Sequence, residues 1–576
     1  MSRRAKRIDI GGGGWRSGLL LLAFAAAALA LEGRIVYLQL VDTDFLTAQG
    51  DDRHLRTVQI SAHRGTVTDR NGEPLAVSTP VDSIWANPAE LKPALERLPE
   101  LAGVLELDPE WLARRVTSNM EREFVYLKRH LSPTQAAEVL SLGIPGVSTL
   151  REYRRFYPSG EVAGHVVGFT DIDDLGQEGL EFAFDYRLEG EPGVKRVLQD
   201  RYGRVIGDVE LIKAARPGRT LMTSLDLRLQ YLAYRELKKA VASSNARSGS
   251  VVIIDPASGE VLALVNQPFY NPNDRAQRGE EFAARRRNRA VTDIFEPGSS
   301  FKTLVLAAAL ESGRYTPDTV VDTSPGILFV DGRPVTQDTN NLGRVDLTTV
   351  LAKSSNVGAG LIALDMSARE VWQVLNDFGV GQLTGSGYPG ESAGVLVDPE
   401  HWRPVGHATL SYGYGLSMTT LQLARAYAAI AAGGILRPVS FLAVSEPPQA
   451  ARVISEQAAA DLGAMLESVV LPIGTGQRAG ITNYRVAGKT GTAWKATTGG
   501  YSKDRYTAVF AGYAPASRPR LVAVVVIDEP QGEGYHGGDA AAPVFSSIMS
   551  GALRLLAVPP DAVDLDSNSL LSQARP

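Results

Sequence analysis

The sequence predicts an α+β protein: one membrane-spanning helix near the amino terminus, a mixed α/β domain after it, and a carboxyl-terminal domain whose helices flank an antiparallel sheet. Three observations predict this arrangement. An apolar run follows basic residues at the amino terminus, β-prone runs at 249–265 and 484–527 suggest hairpins, and Ala- and Leu-rich helical segments occupy 303–310 and 420–432. At 576 residues the chain is long enough for two or more domains of roughly 150 residues each.

The amino terminus predicts a membrane anchor. Five basic residues between positions 3 and 16 precede an apolar run over 18–38. As one helix this run would be about 31 Å long, close to the roughly 30 Å of bilayer hydrocarbon. Positive charge before the span indicates a cytoplasmic tail at 1–16, a transmembrane anchor at 17–38 and an exported body. A cleaved signal peptide stays open as an alternative, because the uninterrupted run is short and Ala28-Leu29-Ala30 forms a small-x-small site.

The body of the chain divides by pattern into two domains and a tail. Short β-like runs and polar helices with Pro/Gly punctuation, but without a catalytic constellation, predict a non-catalytic domain over 39–220. An amphipathic helix from about residue 224 leads into a predicted hairpin, and this start predicts a second domain over 221–557. The Pro-, Asp-, Ser- and Asn-rich end predicts a disordered tail at 558–576.

Composition excludes several classes of function. A net charge of −5 with balanced acidic and basic residues carries no nucleic-acid signature. The sequence has no Cys, which excludes disulfides and thiolate sites. Its seven His residues show neither an HExxH motif nor paired spacing, so we expect neither a metal site nor a cofactor.

The first candidate catalytic motif is S-x-x-K at 299–302. It follows Pro297 and Gly298 and precedes a long Ala/Leu run, a pattern typical of a helix start. Residues three apart share one face of a helix, so the Ser299 hydroxyl and the Lys302 amine can meet. A desolvated lysine can serve as the base that activates a serine, and burial or a second cation would lower its pKa.

Two further motifs follow in order, Ser354-Ser355-Asn356 and Lys489-Thr490-Gly491-Thr492. Alone, the former is more often a helix cap, and the latter could end a phosphate-binding loop, except that this loop requires Gly at position 483, which is Asn. On an edge strand, Thr490 and Thr492 would project to one face, and Gly491 would leave room for a substrate backbone. The ordered set of three indicates a serine acyl-transfer site for D-Ala-D-Ala peptides or β-lactams.

The sequence resembles the class B penicillin-binding proteins, and within them the FtsI family of division-specific peptidoglycan D,D-transpeptidases of Gram-negative bacteria. Besides the three motifs, the resemblance rests on R-G-T-V-T-D-R-N-G at 64–72, F-Y-P-S-G-E at 156–161 and S-Y-G-Y-G-L-S at 411–417. It extends from about residue 15 to about residue 557. The fold that it implies is a pedestal domain of the dimerisation type over 39–220, followed by a serine β-lactamase-like transpeptidase domain.

The resemblance also implies residue roles. The implied catalytic residues are Ser299 as nucleophile, Lys302 as its base, Ser354 and Lys489 as proton relay, and Asn356 as the group that holds the donor amide. The implied substrate-binding residues are Thr490, Gly491 and Thr492.

The implied partners are peptidoglycan stem pentapeptides ending in D-Ala-D-Ala, an acceptor amine, β-lactams as inhibitors, the septal glycan polymerase FtsW and other division proteins. The implied location is the inner membrane at the division septum, with a single span and a periplasmic catalytic domain. Three alternatives stay open: the elongation-branch transpeptidase, a β-lactam hydrolase or sensor of the same fold, and an idle scaffold. Against a class A hydrolase, no E-x-x-L-N motif lies between the second and third motifs.

Overall fold

The computed structural model describes residues 14–43, 55–199, 205–274, 279–532 and 534–562. It has the predicted α+β architecture and divides into two compact units. The first unit comprises 1–62, 80–152 and 191–216, and the second comprises 63–79, 153–190 and 217–576. The units are therefore interleaved along the chain, whereas the sequence predicts one boundary at 220. Most of the predicted amino-terminal and carboxyl-terminal tails, 1–13 and 563–576, lies outside the described residues.

The amino-terminal apolar run forms a helix, α1 (Gly14–Val36), which continues as a π-helical turn over Tyr37–Val41. The stretch Trp15–Val41 is 27 residues long and contains an 18-residue window with a mean hydropathy of 2.0, none of which is buried by the rest of the chain. Among the described residues it is the one helix that is long and apolar enough to cross a membrane. Its position agrees with the anchor predicted at 17–38.

The first unit has a core of its own, drawn from aliphatic residues between Ile84 and Ile144. Short capped helices surround this core. Asp108 accepts a hydrogen bond from the Trp111 backbone N–H, and Ser132 and Gln135 form a capping box. The helices are Pro88–Leu91, Leu98–Leu105, Pro109–Thr117 and Pro133–Ser141. The strands that lie within this unit are Leu55–Ile60, Val125–Leu131, Gly193–Gln199 and Val205–Lys213.

The second unit is built on a five-stranded antiparallel sheet. Its strands are β1 (Ser248–Ile254), β2 (Val261–Gln267), β3 (Ala487–Thr497), β4 (Gly500–Ala514) and β5 (Leu521–Asp528). Their order across the sheet is β2-β1-β5-β4-β3, so both predicted hairpins form and β3 lies at an edge. Because an edge strand leaves one row of backbone groups unpaired, β3 can accept a further strand.

Helices cover both faces of this sheet. The principal helices are α2 (Leu227–Ser243), α3 (Lys302–Glu311), α4 (Asn356–Asp365), α5 (Thr420–Ala431), α6 (Glu456–Val470) and α7 (Ala542–Leu555). Side chains alternate along β1: Val251 and Ile253 pack with α2 and α7, whereas Val252 and Ile254 pack with α3, α5 and α6. The sheet is therefore the middle layer of three, and α3 is buried along nearly its whole length.

Shorter elements complete the second unit. The short helices are Gly164–Val167, Gly179–Ala183, Asp185–Leu188, Glu280–Arg286, Arg289–Thr292, Leu347–Ala352, Ala368–Asp377, Pro404–Leu410 and Gly537–Ala540. The short strand pairs are Phe169–Thr170 with Gly176–Glu178, Val320–Asp322 with Arg344–Asp346, Ile327–Val330 with Arg333–Gln337, and Ile435–Leu436 with Ala451–Arg452. Val67–Thr68 pairs with Leu221–Met222 and with the beginning of strand Pro74–Ala86, which ends in the first unit.

A buried ion-pair cluster joins the two early segments of the second unit to each other. The Glu181 carboxylate accepts hydrogen bonds from Arg64 Nε at 2.8 Å and from Arg155 Nε at 2.6 Å. All three side chains are almost fully buried, and Arg64 also pairs with Asp185 at 2.7 Å. Since a buried charge without its partner is strongly destabilising, the cluster holds the segments 63–79 and 153–190 together.

Candidate active site

The candidate nucleophile lies on a tight turn between two structural layers. Ser299 belongs to the 3₁₀ turn Gly298–Phe301, which leads directly into α3. Gly298 has φ +55°, and a Cβ at this position would lie 2.8 Å from the Thr492 carbonyl oxygen. A glycine is therefore required where the turn touches β3. Because α3 starts here, Ser299 stands one helical turn before Lys302.

Lys302 is the centre of the site. Its side chain is fully buried, and its Nζ lies 3.1 Å from Ser299 Oγ. The same amine donates to Ser354 Oγ at 3.2 Å and to Asn356 Oδ1 at 2.6 Å. The structure thus brings together four of the five residues that the sequence predicts to be catalytic, although 55 positions separate the first motif from the second.

The surroundings of Lys302 favour its neutral form. Burial lowers the pKa of Lys302 well below its usual range, and the Lys489 cation lowers it further, while Asp338 opposes the shift. Burial also lowers the pKa of Lys489, to about 7. Because its pKa is lowered, the Lys302 amine can serve as the base that takes the proton of the Ser299 hydroxyl. The sequence predicts that burial or a second cation would lower the pKa of Lys302, and both lower it here.

The second motif combines a helix cap with a strained residue. Ser355 caps α4 by accepting a hydrogen bond from the Gly358 N–H at 2.8 Å. Ser354, just before it, has φ +58°, a left-handed backbone conformation that non-glycine residues rarely adopt. This conformation points the Ser354 carbonyl oxygen at Lys302 Nζ, which donates to it. Such strain persists only where neighbouring groups hold it, and it is common at functional sites.

Asp338 and Thr336 are site residues that sequence reasoning missed. The Asp338 carboxylate accepts hydrogen bonds from the Asn356 N–H at 2.7 Å, the Val357 N–H at 3.2 Å and the Ser355 hydroxyl. Thr336 Oγ1 accepts from Asn356 Nδ2 at 3.2 Å. The amide of Asn356 is thereby oriented with its oxygen towards Lys302. No local pattern marks either residue, because both reach the site through the hairpin Ile327–Val330 and Arg333–Gln337.

The third motif lies on β3, where its residues alternate between two environments. Lys489 is fully buried and donates to the Thr490 carbonyl oxygen at 3.2 Å. Thr490 Oγ1 lies 2.8 Å from Thr475 Oγ1, and Thr492 Oγ1 accepts from the Gly537 N–H at 3.0 Å. Both threonine hydroxyls therefore face the same cleft as Ser299, as their spacing predicts.

Gly491 has a different environment from the one expected. A Cβ at this position would lie 2.6 Å from the Pro297 carbonyl oxygen and 3.2 Å from Ser300 Oγ. The space that the missing side chain leaves is thus filled by the nucleophile turn. Gly491 permits β3 to pack against the turn that carries Ser299, and its contact with substrate stays a prediction.

The cleft around these residues has a volume of about 580 Å³ and is lined largely by polar groups. Its lining residues outside the three motifs are Thr339, Lys353, Gly474, Thr475, Gln477, Arg478, His536, Gly538 and Asp539. The segment 474–479 reaches the site through the contact of Thr475 with Thr490, which joins residues of two different elements. The cleft offers a nucleophile, a buried base, an amide and several hydroxyl and cationic donors, which together suit acyl transfer.

Comparison with known families covers both units. Residues 59–223 match the penicillin-binding protein dimerisation domain, and residues 249–550 match the penicillin binding protein transpeptidase domain. The chain is a class B penicillin-binding protein. In this penicillin-binding protein, the transpeptidase match contains all three motifs and every cleft residue named above.

Two curated relatives extend over nearly the whole of this penicillin-binding protein. The peptidoglycan D,D-transpeptidase FtsI of Escherichia coli is 43% identical over 554 residues, which cover 95% of this chain and 93% of the relative. The probable peptidoglycan D,D-transpeptidase PbpC of Pseudomonas aeruginosa is 42% identical over 547 residues, covering 95% and 96%. A peptidoglycan synthetase from Bifidobacterium adolescentis, known from a crystal structure, is 26% identical with a TM-score of 0.70, covering 88% of this chain and 98% of its own.

Proposed function

We propose that this penicillin-binding protein cross-links the stem peptides of septal peptidoglycan through an acyl-enzyme on Ser299. The observation that carries the proposal is the 3.1 Å contact between Ser299 Oγ and a buried lysine amine whose pKa is lowered well below its usual range. A nucleophile and its base in hydrogen-bond contact are the minimum for serine acyl transfer. The D,D-transpeptidase names of the two curated relatives support the same reaction.

In the first half-reaction, neutral Lys302 takes the proton of Ser299. Ser299 Oγ bonds to the carbonyl carbon of the penultimate D-Ala, and the C–N bond to the terminal D-Ala breaks. The departing amine receives a proton through Ser354 and Lys489. The hydrogen bond from Lys302 Nζ to Ser354 Oγ at 3.2 Å supports the first step of this relay. The product is an ester on Ser299.

In the second half-reaction, an amine of a neighbouring stem peptide attacks the ester carbonyl. The new C–N bond forms, the bond to Ser299 Oγ breaks, and Ser299 recovers its proton from the amine by the same relay. Because Asn356 is fixed by both Lys302 and Thr336, it can hold the donor amide through both steps. Water can also attack the ester on Ser299 and release the peptide without a cross-link. A transpeptidase therefore needs an ester that water hydrolyses slowly, so that the amine attacks first.

Residues of β3 can bind two negatively charged groups of the substrate, the terminal carboxylate and the oxyanion that forms during the reaction. We assign the Thr490 and Thr492 hydroxyls to the terminal carboxylate, which a β-lactam imitates. The backbone N–H groups of Ser299 and Thr492 would stabilise the oxyanion, typically by about 2.7–4 kcal/mol per donor. The Trp494 N–H donates to Tyr414 OH at 3.1 Å, and alternate residues of a strand point their N–H groups to the same side. The Thr492 N–H thus faces the open edge, where the substrate would lie.

We further propose a single-pass inner-membrane protein with a cytoplasmic amino terminus and a periplasmic body, acting with FtsW and other division proteins at the septum. The apolar helix and the preceding basic residues support the membrane part. The FtsI name of a relative that is 43% identical supports the septal part. A fluorescent fusion tests the location: a band at mid-cell is expected, and an even distribution along the side wall would instead assign it to the elongation branch.

The chemistry is tested by intact-mass spectrometry of the full chain after exposure to penicillin, followed over time. We expect a lasting adduct that maps to Ser299 and is absent from Ser299→Ala. Rapid return to the free mass would indicate a β-lactam hydrolase of the same fold. If no adduct forms at all, the protein is a catalytically idle scaffold and the proposed transpeptidase function is wrong.

A further inference from the structure

An ion pair lines the cleft and has no part in the reaction described above. Arg478 Nη1 is 3.3 Å from Asp539 Oδ1, and both residues line the same cleft as Ser299. The Arg478 side chain is 63% exposed and that of Asp539 is 38% exposed, so both can be reached by a molecule entering the cleft. The S-x-x-K, S-x-N and K-T-G motifs contain neither residue.

Two contacts join the segments that carry this ion pair to the threonines of β3. On the Arg478 side, Thr475 Oγ1 lies 2.8 Å from Thr490 Oγ1. On the Asp539 side, the Gly537 N–H donates to Thr492 Oγ1 at 3.0 Å. The two segments also touch each other, since a Cβ on Gly538 would lie 2.7 Å from the Thr475 carbonyl oxygen. The two segments that carry the charges therefore lie beside the two hydroxyls assigned to the substrate carboxylate.

We propose that Arg478 is a specificity-determining residue for the terminal carboxylate of the donor, and that Asp539 weakens this attraction by pairing with it. A guanidinium presents several N–H donors in a planar fork that matches a carboxylate, and its charge attracts the anion before contact. Asp539 occupies part of that fork and cancels its charge. An entering carboxylate must compete with Asp539 for the Arg478 guanidinium. A stronger ion pair between Arg478 and Asp539 therefore slows acylation.

The inference rests on the proposed function, since it assumes acylation of Ser299 by a molecule with a carboxylate. The test measures the second-order rate constant for acylation of the full chain by benzylpenicillin at low and high salt. The variants are Arg478→Gln, Arg478→Lys, Asp539→Asn and the double variant Arg478→Gln with Asp539→Asn. Arg485→Gln is the matched control, because Arg485 forms an exposed ion pair with Glu467 at 2.7 Å but does not line the cleft.

We expect the rate constant to fall about fivefold in Arg478→Gln and to rise about threefold in Asp539→Asn, as suits one charge near a protein surface. Arg478→Lys should retain most of the rate. Both effects should shrink at 1 M salt, where the Debye length is about 3 Å. In the double variant the rate should lie above that of Arg478→Gln, because Asp539 without Arg478 is an unpaired negative charge that repels a carboxylate, and below that of Asp539→Asn, which keeps the attracting cation.

Each contrary result has a distinct meaning. If wild-type protein forms no adduct on Ser299, the proposed function fails and this inference fails with it. If the wild type is acylated but Arg478→Gln behaves like Arg485→Gln, the proposed function stands and the role of Arg478 is refuted. Loss of rate in Arg478→Gln that neither salt nor Arg478→Lys changes would also refute it, because a charge effect responds to both.

Discussion

At the scale of single residues, one buried amine organises the site. Lys302 Nζ contacts the Ser299 and Ser354 hydroxyls, the Ser354 carbonyl oxygen and the Asn356 amide oxygen. An amine that is buried and near a second lysine loses its proton more easily, and the acceptors around it keep it aimed at Ser299. Both the reactivity of Lys302 and its direction depend on neighbours that belong to other motifs.

The contribution of Lys489 can be read from the pH dependence of acylation. Acylation requires neutral Lys302, so the rate falls as the pH drops through the pKa of Lys302. Lys489 lowers that pKa by its charge. Removing the charge in Lys489→Met should raise the pKa of Lys302 and move the acidic limb of the pH–rate profile to higher pH.

The profile is measured with penicillin over a pH series, using Lys489→Arg as the variant that keeps the charge. We expect Lys489→Arg to leave the acidic limb closer to its wild-type position than Lys489→Met does. An acidic limb at the same pH in both variants and in the wild type would show that Lys489 does not set the pKa of Lys302.

At the scale of elements, the start of α4 depends on a residue outside all three motifs. Its first N–H groups and the Ser355 hydroxyl are bonded to Asp338, which lies just past strand Arg333–Gln337. A carboxylate at a helix amino terminus satisfies unpaired N–H groups and interacts favourably with the helix dipole. Asp338 therefore fixes the end of α4 that carries Asn356.

Replacing Asp338 by Ala should affect both stability and activity. We expect a loss of about 1–3 kcal/mol in the free energy of unfolding, because three donors lose their acceptor, and a clear fall in the rate of penicillin acylation. Thermal or urea unfolding and the acylation assay measure the two effects.

Asp346→Ala is the matched control for this prediction. Asp346 caps the helix Leu347–Ala352 by accepting from the Thr349 N–H at 2.7 Å, and it does not line the cleft. Its removal should destabilise by about 1 kcal/mol and leave acylation nearly unchanged. Equal loss of activity in both variants would show that Asp338 acts on stability alone.

At the scale of the whole molecule, the chain combines an apolar amino-terminal helix with two interleaved compact units. The second unit is made of three separate segments of the chain, namely 63–79, 153–190 and 217 onwards. The cluster of Arg64, Arg155 and Glu181 joins the first two of these segments. An excised fragment that begins at residue 221 would lack two of these segments. The reacting parts all lie within the second unit.

The anchor is tested on protein purified from membranes. The stretch Trp15–Val41 would be about 40 Å long as a helix, enough to cross roughly 30 Å of hydrocarbon with some tilt. We expect the mature protein to retain this stretch, as shown by intact mass and amino-terminal sequencing. A mature terminus just after Ala30, with the protein released from the membrane, would establish a cleaved signal peptide instead.

The sequence by itself determined the local parts of this protein. The turn before α3, the meeting of Ser299 with Lys302, the hairpin of β3 and β4 and the shared face of Thr490 and Thr492 follow from helix and strand periodicity, which acts over a few residues. Only the tertiary structure decided the places of Asp338, Thr475, Arg478 and Asp539 and the interleaving of the two units. Contacts between residues far apart in the chain arise from packing and hydrogen bonding across elements, and no local spacing encodes them.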